Sequence, residues 1–248
     1  MKVSSQGAVA TAERSAGAQR ETAVVAEERG RKHEFMGARL REARMRSGLG
    51  VRELARQLEI SASLVSQIEL GRVAPSVSTL YALTNALNVS MDSLFVDEED
   101  EPPPEKVTGR ARTRIEAVPH EPSVLAHTEP SPSERAFVQR RSTRSSIDLE
   151  KGVRWELLTP APEPGAEFLE VHYAVGGSSS PTDGAIRHNG RDYCLILEGV
   201  LSIQIGFEQL TLRAGDSLAF DATIPHRFWN EGPSPVRAVW FVLDRFGS

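Results

Sequence analysis

Apolar residues recur at steps of three and four through the N-terminal part of this chain and at steps of two through its C-terminal half. Residues 51–72 read V-R-E-L-A-R-Q-L-E-I-S-A-S-L-V-S-Q-I-E-L-G-R. Leu54, Ala55 and Leu58 form one helical face, and Val65 and Ile68 form a second after a short break. Ser61 stands where a helix N-cap belongs, and Gly71 where the second helix must stop. Ala62, Ser63, Ser66 and Gln67 are small or polar and lie off both apolar faces. An earlier helix carries Leu40, Ala43, Arg44 and Ser47. Pro75-Ser76 opens a further one with Val77, Leu80, Leu83, Ala86 and Leu87 on one side. Asn88-Val89-Ser90 breaks the chain before a short last helix, Met91 to Phe95. The expectation is five helices.

From about Ala136 the pattern changes to short apolar runs between turn residues. Phe137-Val138, Val153–Leu158, Phe168–Val175, Tyr193–Leu197, Val200–Ile205, Gln209–Leu212, Ser217–Phe220, Arg227–Trp229 and Val236–Leu243 read as strands. Gly152, Gly176-Gly177, Gly199, Gly206, Gly215 and Gly232-Pro233 mark turns. Many short, closely spaced strands predict an antiparallel barrel or jelly roll. The chain is therefore expected to be multidomain α plus β: a tail over 1–33, a helical domain over 34–96, a linker over 97–135 and a β domain over 136–248.

Composition sharpens this division. Residues 1–33 have few large apolar side chains, which predicts a disordered tail with a weak helix at 19–33. Asp97 to Glu101 are five consecutive acids, and Pro102-Pro103-Pro104 with prolines 119, 122, 130 and 132 follow. That composition predicts an extended linker and two domains that fold independently. The net charge of −5 conceals a basic stretch from Arg29 to Arg46, with seven Lys or Arg against two acids. A local basic shoulder matters more to a polyanion than the total does, because salt screens exposed charges beyond roughly 8 Å. Cys194 is the single cysteine, so no intrachain disulfide forms. No apolar run reaches membrane-span length and no signal-peptide core is evident, so a cytoplasmic location is expected.

The helical segment resembles the phage-repressor-like (XRE) helix-turn-helix family over residues 34–95, with L-A, S-x-S, I-E-x-G and P-S at the family's positions. The resemblance implies that helix 62–70 enters the major groove of double-stranded operator DNA. Ala62, Ser63, Ser66 and Gln67 would face base edges: Gln bonds adenine bidentately, Ser donates or accepts, and an Ala methyl meets a thymine methyl. Ser61, Arg72, Ser78 and the N–H groups near Val51 would meet phosphates. Arg52 and Arg56 read equally well as a solvated helix face. The resemblance also implies an internal ion pair between Arg44 and Glu69.

Two segments of the β region resemble the cupin superfamily. One runs from Arg187 to Gly199; His188, Asp192 and Gly199 match the second His, the acid and the Gly of the usual first motif. Ile186 replaces its first His. In the second, Gly215, His226 and Asn230 match, while Asp221 and Thr223 replace a Pro and a Gly. If the strand runs unbroken, residues 186, 188 and 192 share one face. In cupins that face lines the interior, where His226 and Phe228 would join it. The implied ligand-binding set is His188, Asp192, His226 and Phe228. Two His and one carboxylate also suit a divalent metal, the alternative being a metal-free pocket in which they bond a ligand or one another. His172 has no motif position and reads as structural.

Together the halves resemble bacterial regulators in which a cupin senses a small-molecule effector and a helix-turn-helix binds its operator, usually as a homodimer. The expected function is such a regulator, not an enzyme. The alternative is a dioxygenase-like cupin metalloenzyme tethered to a DNA-binding domain, against which the Ile186 replacement counts.

Overall fold

The computed structural model describes residues 26–27, 29–95, 136–163, 165–181 and 184–243. The predicted linker, and the tail up to residue 25, lie outside these. Residues 29 to 46 form helix α1, so the predicted tail boundary at 33 falls inside a helix. Then come α2 (Val51–Gln57), α3 (Ala62–Glu69) and α4 (Val77–Leu87). Ser61 caps α3 by accepting from the Leu64 N–H, and Ser76 caps α4 by accepting from that of Thr79. Asn88 ends α4 in the left-handed conformation, φ 51°. The predicted last helix is a single 3₁₀ turn, Asp92–Leu94, so the domain has four α-helices rather than five. Its core is built from Met36, Leu40, Leu54, Val65, Ile68, Leu80 and Leu83. α1 crosses the end of α3 closely: a Cβ on Gly37 would lie 2.4 Å from the Ile68 carbonyl oxygen. Only glycine fits there.

Among the described residues nine strands follow: β1 (Ser146–Leu149), β2 (Val153–Leu157), β3 (Ala166–Tyr173), β4 (Arg191–Glu198), β5 (Val200–Ile205), β6 (Glu208–Arg213), β7 (Ser217–Asp221), β8 (His226–Trp229) and β9 (Val236–Leu243). Phe137 is not in a strand, and β1 was not foreseen. The strands form a six-stranded sheet ordered β1-β2-β3-β9-β4-β7 and a three-stranded sheet ordered β6-β5-β8. This is two sheets rather than one closed barrel. They face each other, as the T-shaped contact of Phe228 on β8 with Trp240 on β9, 4.9 Å between centroids, shows. Alternation works as predicted on β4 and β9: Asp192, Cys194, Ile196, Val236, Ala238, Trp240 and Val242 point inward.

The two domains touch. The Ser78 N–H donates to the Ser179 carbonyl at 3.2 Å, and the Glu150 N–H to the Pro75 carbonyl at 2.9 Å. Tyr81 donates to Glu167 at 3.3 Å. From α1, Lys32 donates to Ser146, His33 to the Asp148 carbonyl, and Arg29 pairs with Asp148.

Candidate functional site

On α3, burial of Val65 and Ile68 turns Ser63 and Gln67 outward, with Ala62 and Ser66 at the edges of that face. Among the described residues, the Gln67 side chain bonds its helical neighbour, donating to the Ser63 hydroxyl at 3.3 Å. This contact is weak enough to exchange for a base edge. Ser61 is engaged as a cap, and Arg72 is exposed just past the helix. Ser78 is placed otherwise: its N–H is taken by Ser179, so it faces the sheet domain. Arg56 pairs along α2 with Glu53, as a solvated helix face would.

Beneath the open face lies the Arg44–Glu69 pair. Arg44 Nε donates to Glu69 Oε1 at 2.5 Å, Nη2 to Oε2 at 2.9 Å, and Nη1 to the Leu49 carbonyl at 2.8 Å. Both side chains are buried. The pair ties α1 to α3 and serves structure.

The sheet domain encloses a cavity with about 20 Å³ open to the centre of a water molecule, lined by Trp155, Leu169, Val171, Tyr173, Ile186, His188, Asp192, Phe228, Trp240 and Val242, together with Val77 and Tyr81 of α4. The strand expected to run through 186–192 is interrupted. Ile186 forms an isolated bridge with His226, residues 187–190 make a loop that Gly190 turns at φ 105°, and β4 begins at Arg191. His188 still points inward because its N–H bonds the Ala222 carbonyl at 3.0 Å and the Ala222 N–H bonds that of Gly190 at 3.1 Å. His226 lies behind the cavity wall, fully buried against Asp192.

His188 Nε2 lies 3.5 Å from Asp192 Oδ1, and His226 Nε2 lies 3.9 Å from Asp192 Oδ2. These are too long for hydrogen bonds. His188 Nε2, His226 Nε2 and Asp192 Oδ1 are all buried with no hydrogen-bond partner. Each imidazole uses its other nitrogen: His226 Nδ1 lies 2.8 Å from the Ile224 carbonyl and His188 Nδ1 3.2 Å from that of Asn189. A carbonyl only accepts, so in the neutral rings Nδ1 carries the proton and Nε2 presents its lone pair to Asp192. Burial pushes both pKa values down. At His188 the Asp192 carboxylate outweighs it and the pKa is raised; at His226 burial prevails and the pKa is lowered.

This donor set fits a divalent transition metal. The three ligand atoms lie within 4.8 Å of one another. The His–Asp spacings approach the edge of roughly 3.0–3.4 Å between ligands around an ion with bonds of ~2.1 Å. A second cluster, Glu156, Glu170 and His172, is equally compact. Its two carboxylates are paired with Arg144, Arg154 and Arg237, whose guanidiniums repel a cation. It is an ion-pair network on the outer sheet face, and His172 is structural there. Burial pushes the Cys194 thiol up, so it is no nucleophile at neutral pH.

Sequence reasoning missed Tyr81. Its ring stacks on His188, centroids 4.4 Å apart and planes 4° apart, and meets Trp155 edge-on at 5.8 Å. The signal was present: Val77, Leu80, Tyr81, Leu83, Thr84 and Leu87 are buried nearly all around α4. A helix apolar on more than one face has more than one partner.

Comparison with known proteins agrees with this division. Residues 36–94 match the helix-turn-helix domain family, and residues 169–242 match the cupin domain family. The chain is similar to the HTH-type transcriptional regulator PuuR of Escherichia coli, at 26% identity over 82% of this chain and 91% of the relative. It is also similar to the regulator SutR of the same organism, at 24% identity over 82% and 90%. A solved HTH_3 family transcriptional regulator from Vibrio cholerae shares the fold, with 17% identity, 88% of this chain and 99% of that one covered, and a TM-score of 0.58.

Proposed function

We infer that this chain, a helix-turn-helix transcription regulator of the XRE type with a C-terminal cupin domain, binds operator DNA through α3 and senses a small molecule in the cupin cavity. The reading rests on one juxtaposition. A single chain holds a helix with an open polar face and an inward pocket beside which three buried polar atoms make no hydrogen bond. Ser63, Ser66 and Gln67 read bases, with Ala62 against a thymine methyl, and Ser61 and Arg72 meet phosphates. Ser78, turned toward the cupin domain, is not in this set. His188, Asp192 and His226 hold a divalent metal, Phe228 forms an apolar wall, and the effector bears a polar head that reaches the triad. A metal held there supplies a Lewis-acidic anchor for that head. The site is a sensor: Ile186 occupies the position of a further ligand, and the similar curated proteins are regulators.

The regulator acts as a homodimer, because two heads on a near-two-fold site supply the contacts that one sparse reading face lacks. The face we assign to the second copy is the outer side of the six-stranded sheet. Phe168, Phe241 and Tyr193 lie side by side across β3, β9 and β4, flanked by Leu195, Leu197 and Leu243, all exposed. Sedimentation of the wild type and of Phe241→Glu, dimer against monomer, checks it.

The experiment for DNA is selection of a preferred site followed by titration at several salt concentrations. Gln67→Ala is expected to cost about 1–3 kcal/mol on that site and to relax one base position. Equal loss on random sequence would remove Gln67 from the readers. Absence of salt-sensitive binding, with or without effectors, would sink the regulator reading. For the sensor, thermal shifts of the full chain with amino acids, polyamines, small acids and divalent metals identify what binds.

A further inference from the structure

The cupin cavity has no room for an effector. About 20 Å³ open to a water's centre accommodates about one water or one bare ion. Pockets for metabolites span roughly 300–1,000 Å³. The sheet side of the wall is braced, since Trp155, Val171, Trp240 and Asp192 all sit in laddered strands of one sheet. The side of the wall that α4 supplies, Val77 and Tyr81, is different in kind. Tyr81 belongs to α4 of the DNA-binding domain, lies flat on His188, and is joined to the cupin domain by no ladder.

We propose that Tyr81 is the lid of the effector site, and that anything larger than a water or an ion occupies the cavity only by displacing Tyr81 and undocking α4. The proposal rests on the reading of this cavity as the sensor site. Undocking α4 breaks at least the bonds of Ser78 N–H to the Ser179 carbonyl, Glu150 N–H to the Pro75 carbonyl and Tyr81 to Glu167, leaving the α1 contacts of Lys32, His33 and Arg29 as a tether. A resident metal is small enough to stay beneath the ring. The effector's signal to the DNA-binding domain is then the loss of its dock.

The Ser78 amide reports docking directly. It is the second residue of α4, where a backbone N–H has no acceptor within the helix, so its protection from hydrogen exchange comes from Ser179. The test needs neither DNA nor an effector. Ile186→Trp in the full chain fills the cavity from inside. The expected result is that the Ser78 and Glu150 amides exchange about tenfold faster or more, while that of Trp240 on β9 keeps its protection. Tyr81→Gly added to Ile186→Trp vacates the lid position for the new ring and is expected to return the Glu150 and Ser78 amides toward wild-type exchange. Unchanged Ser78 exchange in Ile186→Trp overturns the proposal. So does loss of Ser78 and Trp240 protection together without rescue by Tyr81→Gly, because the sheets and not the lid would then have yielded. If the lid behaves as expected but no site-specific DNA binding is found, the regulator reading fails and the lid stands.

Discussion

Two buried clusters of charged side chains, one in each domain, are chemically alike and differ in what their atoms reach. Arg44 and Glu69 satisfy each other bidentately, and the guanidinium's remaining reach goes to Leu49. His188, Asp192 and His226 converge as closely, yet three of their atoms face one another without a bond. Desolvating a polar group costs free energy that only a partner offsets. The first cluster is finished by folding, so it holds α1 to α3. The second keeps that cost uncompensated at three buried atoms. The contrast separates a closed ion pair from an open cluster where burial and residue type do not. It also sets aside the Glu156, Glu170 and His172 group, whose acids are met by three arginines.

The comparison breaks first at Arg44. Arg44→Ala leaves the Glu69 carboxylate buried and unpaired, and the expected loss is about 3–5 kcal/mol, confined to the helical domain. Chemical denaturation followed by far-UV circular dichroism measures it. A loss below ~1 kcal/mol would mean that the pair is no more than a surface contact.

The triad should respond in the opposite way. Asp192→Asn is expected to leave the fold intact, because it removes a charge that no hydrogen bond holds. In the wild type, Zn²⁺ or Ni²⁺ at a hundred times its dissociation constant is expected to stabilise the cupin domain by about 2.7 kcal/mol. Calorimetric titration should give one site per chain, lost in Asp192→Asn and in His226→Ala. Metal binding retained in both variants would place the ion elsewhere.

The smallest expected effect is on pH dependence. Burial pushes the Glu170 pKa up, but Arg237 and Arg144 outweigh it and hold it below the usual carboxylate range. As pH falls from about 4.5, the unfolded chain therefore takes up the proton first. The contribution of Glu170 is present above that pH and disappears as pH falls through the folded value. Glu170→Gln should flatten the acid limb of the stability curve and leave the neutral region's slope unchanged. An identical acid limb in both proteins would show that the network's charges are already screened.

What the sequence makes legible is what neighbours along the chain decide. The faces of α2, α3 and α4 follow from contacts three and four residues apart, and Ser61, Ser76 and Gly71 act within a turn of where they stand. Alternation on β4 and β9 is local in the same sense, which is why Asp192 was assigned inward correctly. Errors occurred where the pattern was too short to mean anything: Phe137-Val138 offers no alternation, and Ser146–Leu149 hides a strand between polar residues. His188 was placed correctly for an incomplete reason. Its strand is interrupted, and a bond to Ala222, supplied from far along the chain, turns it inward.

Only the tertiary structure decided the rest. That β9 lies between β3 and β4, that the strands make two sheets, and that Ser78 faces the cupin domain all depend on pairings between distant segments. No rule about neighbours in sequence specifies them. The sequence by itself determined a helix with an open polar face and a set of His and Asp residues sharing one interior. It could not determine that Tyr81 stacks on His188 across more than a hundred residues, because the free energy that joins them is surface burial, which records that α4 has a second partner but not which one.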